Sequence, residues 1–266
     1  MRRVAVVTGA ARGIGAATVC GLAAAGWRVV AVDRAGDDPR IPYPLGTRDE
    51  LDAVVATADL LGDGPGTVLA HVADTTDPDG LGVAVALAEE RFGGLDAMVA
   101  VAGVIAGGTT LWEMPVDQLE AVLAVDLLGP VTAARVGVPA LLRRPAPRQG
   151  RFLAVASAAA TKGLPRLAAY GAAKAGVTGL VRGLAADLAG SGVTANAVCP
   201  GSTDTAMLAE SARLYGLEGT DPFAAQQAVG RLLAPDEVAA ALVWLASEAS
   251  SAMTGAVVPV DGGLGL

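Results

Sequence analysis

Three residues in the second half of the chain have the types and spacing that proton transfer requires. Tyr170 and Lys174 lie four apart in a helical pattern, so their side chains share one face. Lysine is scarce, occurring only as Lys162 and Lys174, which makes its placement one turn after a tyrosine notable. A free phenol is too weakly acidic to ionise near neutral pH. A neighbouring ammonium favours the phenolate, so Tyr170 could give or take the proton on an alcohol oxygen. Ser157 ends a strand-like run and could hydrogen-bond the same oxygen as negative charge develops on it. The competing reading is an ordinary surface Tyr–Lys pair at helical spacing.

The elements that must position these residues alternate regularly. Continuous apolar runs at 3–7, 28–32, 67–72, 95–101, 150–156, 193–199 and 256–260 read as strands buried on both faces. Helical patterns occupy 13–25, 47–61, 78–92, 116–142, 167–189 and 235–246. Seven strands with intervening helices predict an α/β fold: one doubly wound parallel sheet with helices on both faces, in a single domain over 1–266. Two connections are longer than that pattern needs, at about 35–48, with Pro39, Pro42 and Pro44, and at about 202–230.

The first strand runs into Thr8-Gly9-Ala10-Ala11-Arg12-Gly13-Ile14-Gly15. Glycines between a strand and a helix let the backbone approach a pyrophosphate, and the helix N-terminus offers it free N–H groups. Asp33, closing the second strand, suits the two hydroxyls of an adenosine ribose and would repel a 2′-phosphate. NAD is therefore favoured over NADP, although Arg34 next door could tolerate the phosphate.

Composition removes other classes. A net charge of −8 disfavours nucleic acid and anionic membrane surfaces. No stretch of about 20 apolar residues runs uninterrupted by charge or turn residues, so no membrane span is expected. Cys20, Cys199 and the single histidine, His71, form no metal-type spacing, so no metal site is expected. Both cysteines fall in apolar segments, as expected of reduced core residues in a cytoplasmic protein.

The spacing Thr-Gly-x-x-x-Gly-x-Gly, with Ser157, Tyr170 and Lys174 in this order, resembles the short-chain dehydrogenase/reductase family over nearly the whole chain. The resemblance implies a Rossmann fold and an NAD-dependent alcohol dehydrogenase in which Ser157, Tyr170 and Lys174 are catalytic. It implies that Gly9, Arg12, Gly13, Ile14 and Gly15 line the pyrophosphate side and that Asp74 and Thr75 contact adenine. Ala102 and Gly103 match the end of the family's Asn-Asn-Ala-Gly segment, whose two asparagines are missing here, so weaker local bracing is expected. Pro200-Gly201-Ser202-Thr203-Asp204-Thr205 resembles the nicotinamide-binding turn, with Thr203 and Thr205 reaching the cofactor beside Tyr170 and Lys174. Asp261-Gly262-Gly263 resembles the C-terminal signature. The family's fourth catalytic position, an asparagine, reads Asp126 in Val125-Asp126-Leu127-Leu128-Gly129. An ionised Asp126 near Lys174 would stabilise the ammonium and alter the proton relay.

The stretch Ile41-Pro42-Tyr43-Pro44-Leu45 resembles the insertion of mycofactocin-associated members. That resemblance implies a flap over the adenine end, NAD that exchanges poorly, and mycofactocin as the external electron acceptor. Val104, Leu164, Met207 and Leu208 are candidate substrate walls; with no cation among them, a small or medium apolar alcohol is expected. Alternatives are an ordinary short-chain reductase with exchangeable NAD(P), a dehydratase or epimerase, and a non-catalytic NAD-binding protein. A homotetramer is the family expectation.

Overall fold

The computed structural model describes residues 2–266. Its strands are β1 (Val4–Thr8), β2 (Arg28–Asp33), β3 (Val68–Val72), β4 (Ala97–Ala100), β5 (Gly150–Val155), β6 (Val193–Pro200) and β7 (Val257–Val260). They form one sheet in the order β3-β2-β1-β4-β5-β6-β7, and every pairing is parallel. The strand order reverses between β1 and β4, which leaves a crevice at their carboxyl ends.

Helices α1 (Gly13–Ala24), α2 (Arg48–Leu61), α3 (Pro78–Phe92), α5 (Gly129–Arg143), α6 (Ala168–Asp187) and α9 (Pro235–Ala246) cover the sheet. Alternation along β1 sorts the core into two layers. Val4 and Val6 pack with Leu81, Met98 and Val177 on the side of α3, α5 and α6. Ala5 and Val7 pack with Val19, Leu22 and Leu242 on the side of α1 and α9. Local signals fix the helix starts: Thr47 and Glu50 form a reciprocal capping box on α2, and Asp77 caps α3 ahead of Pro78.

Two sequence expectations need correction. The helix expected over 116–142 is α4 (Val116–Leu123), a π-helical turn at Ala124–Leu128, and then α5. Pro130 has no N–H to give the Asp126 carbonyl its α-helical partner, and Gly129 N–H instead reaches back five residues to Ala124. The long connection at 202–230 carries two helices, α7 (Ala206–Leu214) and α8 (Asp221–Ala224). The Thr205 side chain caps α7, accepting from Leu208 N at 3.3 Å.

The stretch Val116–Arg143 is long and apolar enough, by length and composition, to cross a membrane. Asp117, Glu120, Asp126, Gly129, Pro130 and Arg135 interrupt it, so it is not an uninterrupted apolar run of the kind the sequence lacks. Half of its most apolar window is buried within the fold, as in a core helix packed on a sheet. Both cysteines are free, with Cys199 buried and Cys20 half-buried.

The last strand is pinned by one fully buried side chain. Asn196 Nδ2 donates to the Met253 carbonyl at 2.9 Å, and its Oδ1 accepts from Ala256 N at 3.1 Å. Asn196→Ala would strand both backbone groups. We expect chemical denaturation to show a loss of about 2–4 kcal/mol.

Candidate active site

A cleft of about 940 Å³ opens at the carboxyl edge of the sheet, over the point where strand order reverses. Beyond β1 the chain turns at Gly9, whose φ is +69°; a Cβ there would lie 2.6 Å from Ala102 Cα. A Cβ on Gly15 would lie 1.8 Å from the Gly9 carbonyl oxygen. Turn, helix and β4 therefore meet backbone to backbone. Arg12, at the N-cap of α1, places no side-chain acceptor on the first turn. The N–H groups of that turn are left to an anion in the cleft that Gly13, Ile14 and Gly15 line. Across the cleft, Thr205 Cγ2 would stand 3.3 Å from a Cβ on Gly13.

The Asp33 carboxylate accepts from Ala11 N and from Ala35 N, each at 3.0 Å. Arg34 beside it turns to Asp38, at 3.0 Å, and stands 3.6 Å from Asp74. Thr75 lines the same arm, and its Oγ1 is buried with no hydrogen-bond partner among the described residues. The expectation of weak bracing at the lost asparagines is answered by Thr8. Its Oγ1 accepts from Val101 N at 3.2 Å and from Ala102 N at 3.3 Å. Pro200 ends β6, and Gly201 N–H holds the following turn to the Val260 carbonyl at 3.0 Å. Thr203 Oγ1 donates to the Gly201 carbonyl within that turn, at 3.1 Å.

Deeper in the cleft, the structure brings Ser157, Tyr170, Lys174 and Asp126 together. Ser157 follows β5, and its hydroxyl accepts from Ala159 N at 3.1 Å. Tyr170 and Lys174 share the buried face of α6. Lys174 Nζ donates to the Val155 carbonyl at 3.2 Å and lies 5.7 Å from the Tyr170 ring. It also meets Asp126 Oδ1 at 3.1 Å. That same oxygen accepts from Val104 N at 3.1 Å, while Oδ2 is buried without a partner among the described residues. Gly103 makes this possible, because a Cβ there would lie 2.8 Å from Asp126 Oδ1 and 3.3 Å from Lys174 Nζ.

Burial and charge oppose each other in this cluster. Burial pushes the Tyr170 phenol up from its ordinary value; Lys174 and Ser157 pull it down, and Asp126 adds to the rise. Burial pushes the Lys174 ammonium down, but Asp126 and Tyr170 outweigh it and leave the group raised. Burial also lifts the Asp126 carboxyl, against Lys174 and the Val104 N–H. Lys174 is thus held as an ammonium, as expected for a carboxylate beside it.

The proline-rich segment after β2 lies along the cleft. Ile41 and Leu45 are buried with Val104 and Ile105, and Tyr43 packs against the same cluster. The Tyr43 hydroxyl accepts from Ile105 N at 3.2 Å, and Arg12 donates across to the Pro44 carbonyl at 2.6 Å. The expected flap at the adenine end therefore reaches further, to the loop beside Tyr170. The alternation of Ile41, Tyr43 and Leu45 was the available signal, since it gives an extended segment one apolar face. The four expected substrate walls all line the cleft. Tyr215 and Phe223 join them, their rings edge to face at 6.2 Å; both stand in or beside α7 and α8, in the connection at 202–230. Tyr215 Oη donates to the Pro165 carbonyl at 2.8 Å, tying the end of α7 to the loop beyond Ser157.

Comparison with known proteins agrees with this geometry. The sequence profile of the family described as Enoyl-(Acyl carrier protein) reductase matches residues 9–265. The chain is 39% identical to a cis-4-hydroxycyclohexanecarboxylate dehydrogenase of Sinomonas cyclohexanicum, covering 98% of this chain and 96% of the relative. It is 34% identical to a (-)-trans-carveol dehydrogenase of Rhodococcus erythropolis, with coverage of 98% and 96%. Among solved structures, carveol dehydrogenase from Mycobacterium avium in complex with NAD superposes with a TM-score of 0.92 at 30% identity, covering 98% of this chain and 97% of that one.

The close approach at Gly103 yields a stability prediction. Gly103→Ala drives a methyl into the Lys174–Asp126 contact and should lower the unfolding free energy by about 1–3 kcal/mol. Gly82→Ala meets nothing within 4 Å on helix α3 and should raise it by about 0.5–1 kcal/mol. Denaturant titration of the two variants checks the contrast.

Proposed function

We propose that this chain, which belongs to the short-chain dehydrogenase/reductase family, transfers a hydride between an apolar cyclic alcohol, or its ketone, and NAD. The observation that carries this reading is the meeting of buried Tyr170 and Lys174 with half-buried Ser157 in the cleft that the glycine turn also lines. The outer arm fits NAD. It has a glycine turn closed backbone to backbone, an uncapped helix N-terminus, the Asp33 carboxylate and the unpartnered Thr75 hydroxyl. Gly9, Arg12, Gly13, Ile14, Gly15, Asp33, Arg34, Asp74, Thr75, Ala102, Gly103, Pro200, Gly201, Thr203 and Thr205 would hold it, with Tyr170 and Lys174 at its inner end. When bound, NAD supplies the hydride acceptor.

In this mechanism the Tyr170 phenolate takes the hydroxyl proton of the alcohol, and Ser157 donates a hydrogen bond to the same oxygen. Lys174 stabilises the phenolate by charge. Asp126 holds the Lys174 ammonium in place through its Oδ1. Val104, Leu164, Met207, Leu208, Tyr215 and Phe223 offer a substrate an apolar surface with edge-to-face aromatic rings, which suits a compact ring. The names of the Sinomonas and Rhodococcus relatives support a hydroxylated ring as substrate, and carveol supports an apolar one.

The segment at 35–48 supports a finer reading, in which NAD is held without free exchange and re-oxidised in place by mycofactocin. Tyr43, Leu45 and Gly46 line the cleft, and Arg12, which also lines it, donates to the Pro44 carbonyl. Three prolines lower the entropy cost of holding such a cover closed. Denaturing the purified protein and assaying the supernatant tests this. We expect NAD(H) close to one per chain, together with alcohol-dependent reduction of an artificial acceptor and no need for added NAD. Empty supernatant with rapid turnover on added NAD would favour an ordinary exchangeable-cofactor dehydrogenase.

The charge at Asp126 gives a pH prediction. Alcohol oxidation needs the Tyr170 phenolate, and the Asp126 charge raises the pKa of that phenol. Asp126→Asn removes the opposing charge, so the rising limb of the rate-versus-pH profile should move to lower pH. An unchanged profile and rate would show that Asp126 does not tune the proton relay.

A further inference from the structure

The site poses a conflict over cofactor choice. Asp33 suits a ribose with free hydroxyls, yet Arg34 follows it directly, and both line the cleft. A guanidinium in that place is well suited to grip a 2′-phosphate through paired hydrogen bonds. The chain reverses immediately afterwards: Ala35 has a φ of +52°, a left-handed conformation rare for a residue with a side chain, and its N–H is tied to Asp33 Oδ1 at 3.0 Å. The reversal brings Asp38 back against Arg34.

Asp38 is only 3% exposed and is saturated with donors. Its Oδ2 accepts from Arg34 at 3.0 Å and from Arg40 NH2 at 2.7 Å. Its Oδ1 accepts from Arg40 Nε and Arg40 N, each at 3.0 Å. A carboxylate removed from water to this extent holds its cations firmly, because breaking one contact leaves a buried charge uncompensated. Asp74 approaches the same Arg34 nitrogen, at 3.6 Å. Asp38 and Asp74 thus both face the Arg34 guanidinium, and Asp33 precedes it in the chain.

We infer that Asp38 is a specificity-determining residue, which disfavours NADP by occupying the Arg34 guanidinium that would otherwise grip a 2′-phosphate. Asp33 repels the 2′-phosphate, and Asp38 withholds the cation that would offset that repulsion. The segment at 35–48 therefore sets which dinucleotide the cleft takes, in addition to covering it. This inference rests on the reading of the cleft as a dinucleotide site.

The test is calorimetric binding of NAD⁺ and NADP⁺ to charcoal-stripped protein at fixed salt. Asp38→Ala releases Arg34 and removes one charge, so the affinity for NADP⁺ relative to NAD⁺ should rise about tenfold, the scale of one charge-assisted hydrogen bond. Adding Arg34→Ala to Asp38→Ala should abolish most of the gain, leaving only the small part due to the lost charge. Asp38→Asn has the same size and can still accept from Arg40; it should shift the ratio in the same direction by less, and it decides the matter if Asp38→Ala does not fold. An unchanged ratio in the single variants, or a gain that survives removal of Arg34 undiminished, would overturn the clamp. Wild-type protein that binds neither dinucleotide would instead overturn the underlying reading of the cleft.

Discussion

An ammonium and a carboxylate 3.1 Å apart, 2% and 0% exposed, set the terms for everything around them. Each charge is costly to bury, and losing either partner of such a pair costs about 3–5 kcal/mol. The surrounding backbone is arranged to keep both. The Val155 carbonyl faces Lys174, Val104 N–H faces Asp126, and Gly103 leaves out the one carbon that would part them. The π-helical turn before Pro130 carries Asp126 between α4 and α5. The pair then sets the charge that the Tyr170 hydroxyl experiences, because Lys174 lowers and Asp126 raises the pKa of the phenol.

The sheet explains why this cluster meets a cofactor arm. Parallel strands all deliver their carboxyl ends to one edge, and the reversal between β1 and β4 leaves room there. β1 brings the glycine turn, β2 brings Asp33, β4 leads to Gly103, and β5 leads to Ser157. The proline-rich segment after β2 then spans both arms. Arg34 and Asp38 belong to its cofactor end, and Tyr43 reaches Ile105 beside the reacting cluster. A single stretch of chain thus touches both Arg34 beside Asp33 and Ile105 beside the Tyr170 cluster.

The parallel sheet was legible because strands buried on both faces read as unbroken apolar runs, and all seven appear where that pattern puts them. The glycine turn and the Tyr170–Lys174 pair were legible because their spacing is set by local geometry. Less visible were features that depend on distant partners. The π-helical turn follows from one missing N–H at Pro130 inside an otherwise helical pattern. Helices α7 and α8 are short and pack on each other through Leu208, Ala212 and Phe223. The grip of Asp38 on Arg34 requires the left-handed turn at Ala35, which no residue type announces.

The central claim is that Tyr170 removes the alcohol proton while the carbon-bound hydrogen leaves as hydride. Stopped-flow absorbance of NAD-loaded protein mixed with a cyclic alcohol, protonated or deuterated at the carbinol carbon, tests it within one turnover. The account predicts NADH formation that deuteration slows and that Tyr170→Phe reduces to background while NAD remains bound. NADH formation at the wild-type rate in Tyr170→Phe, or none in the wild type with any cyclic alcohol, would contradict it.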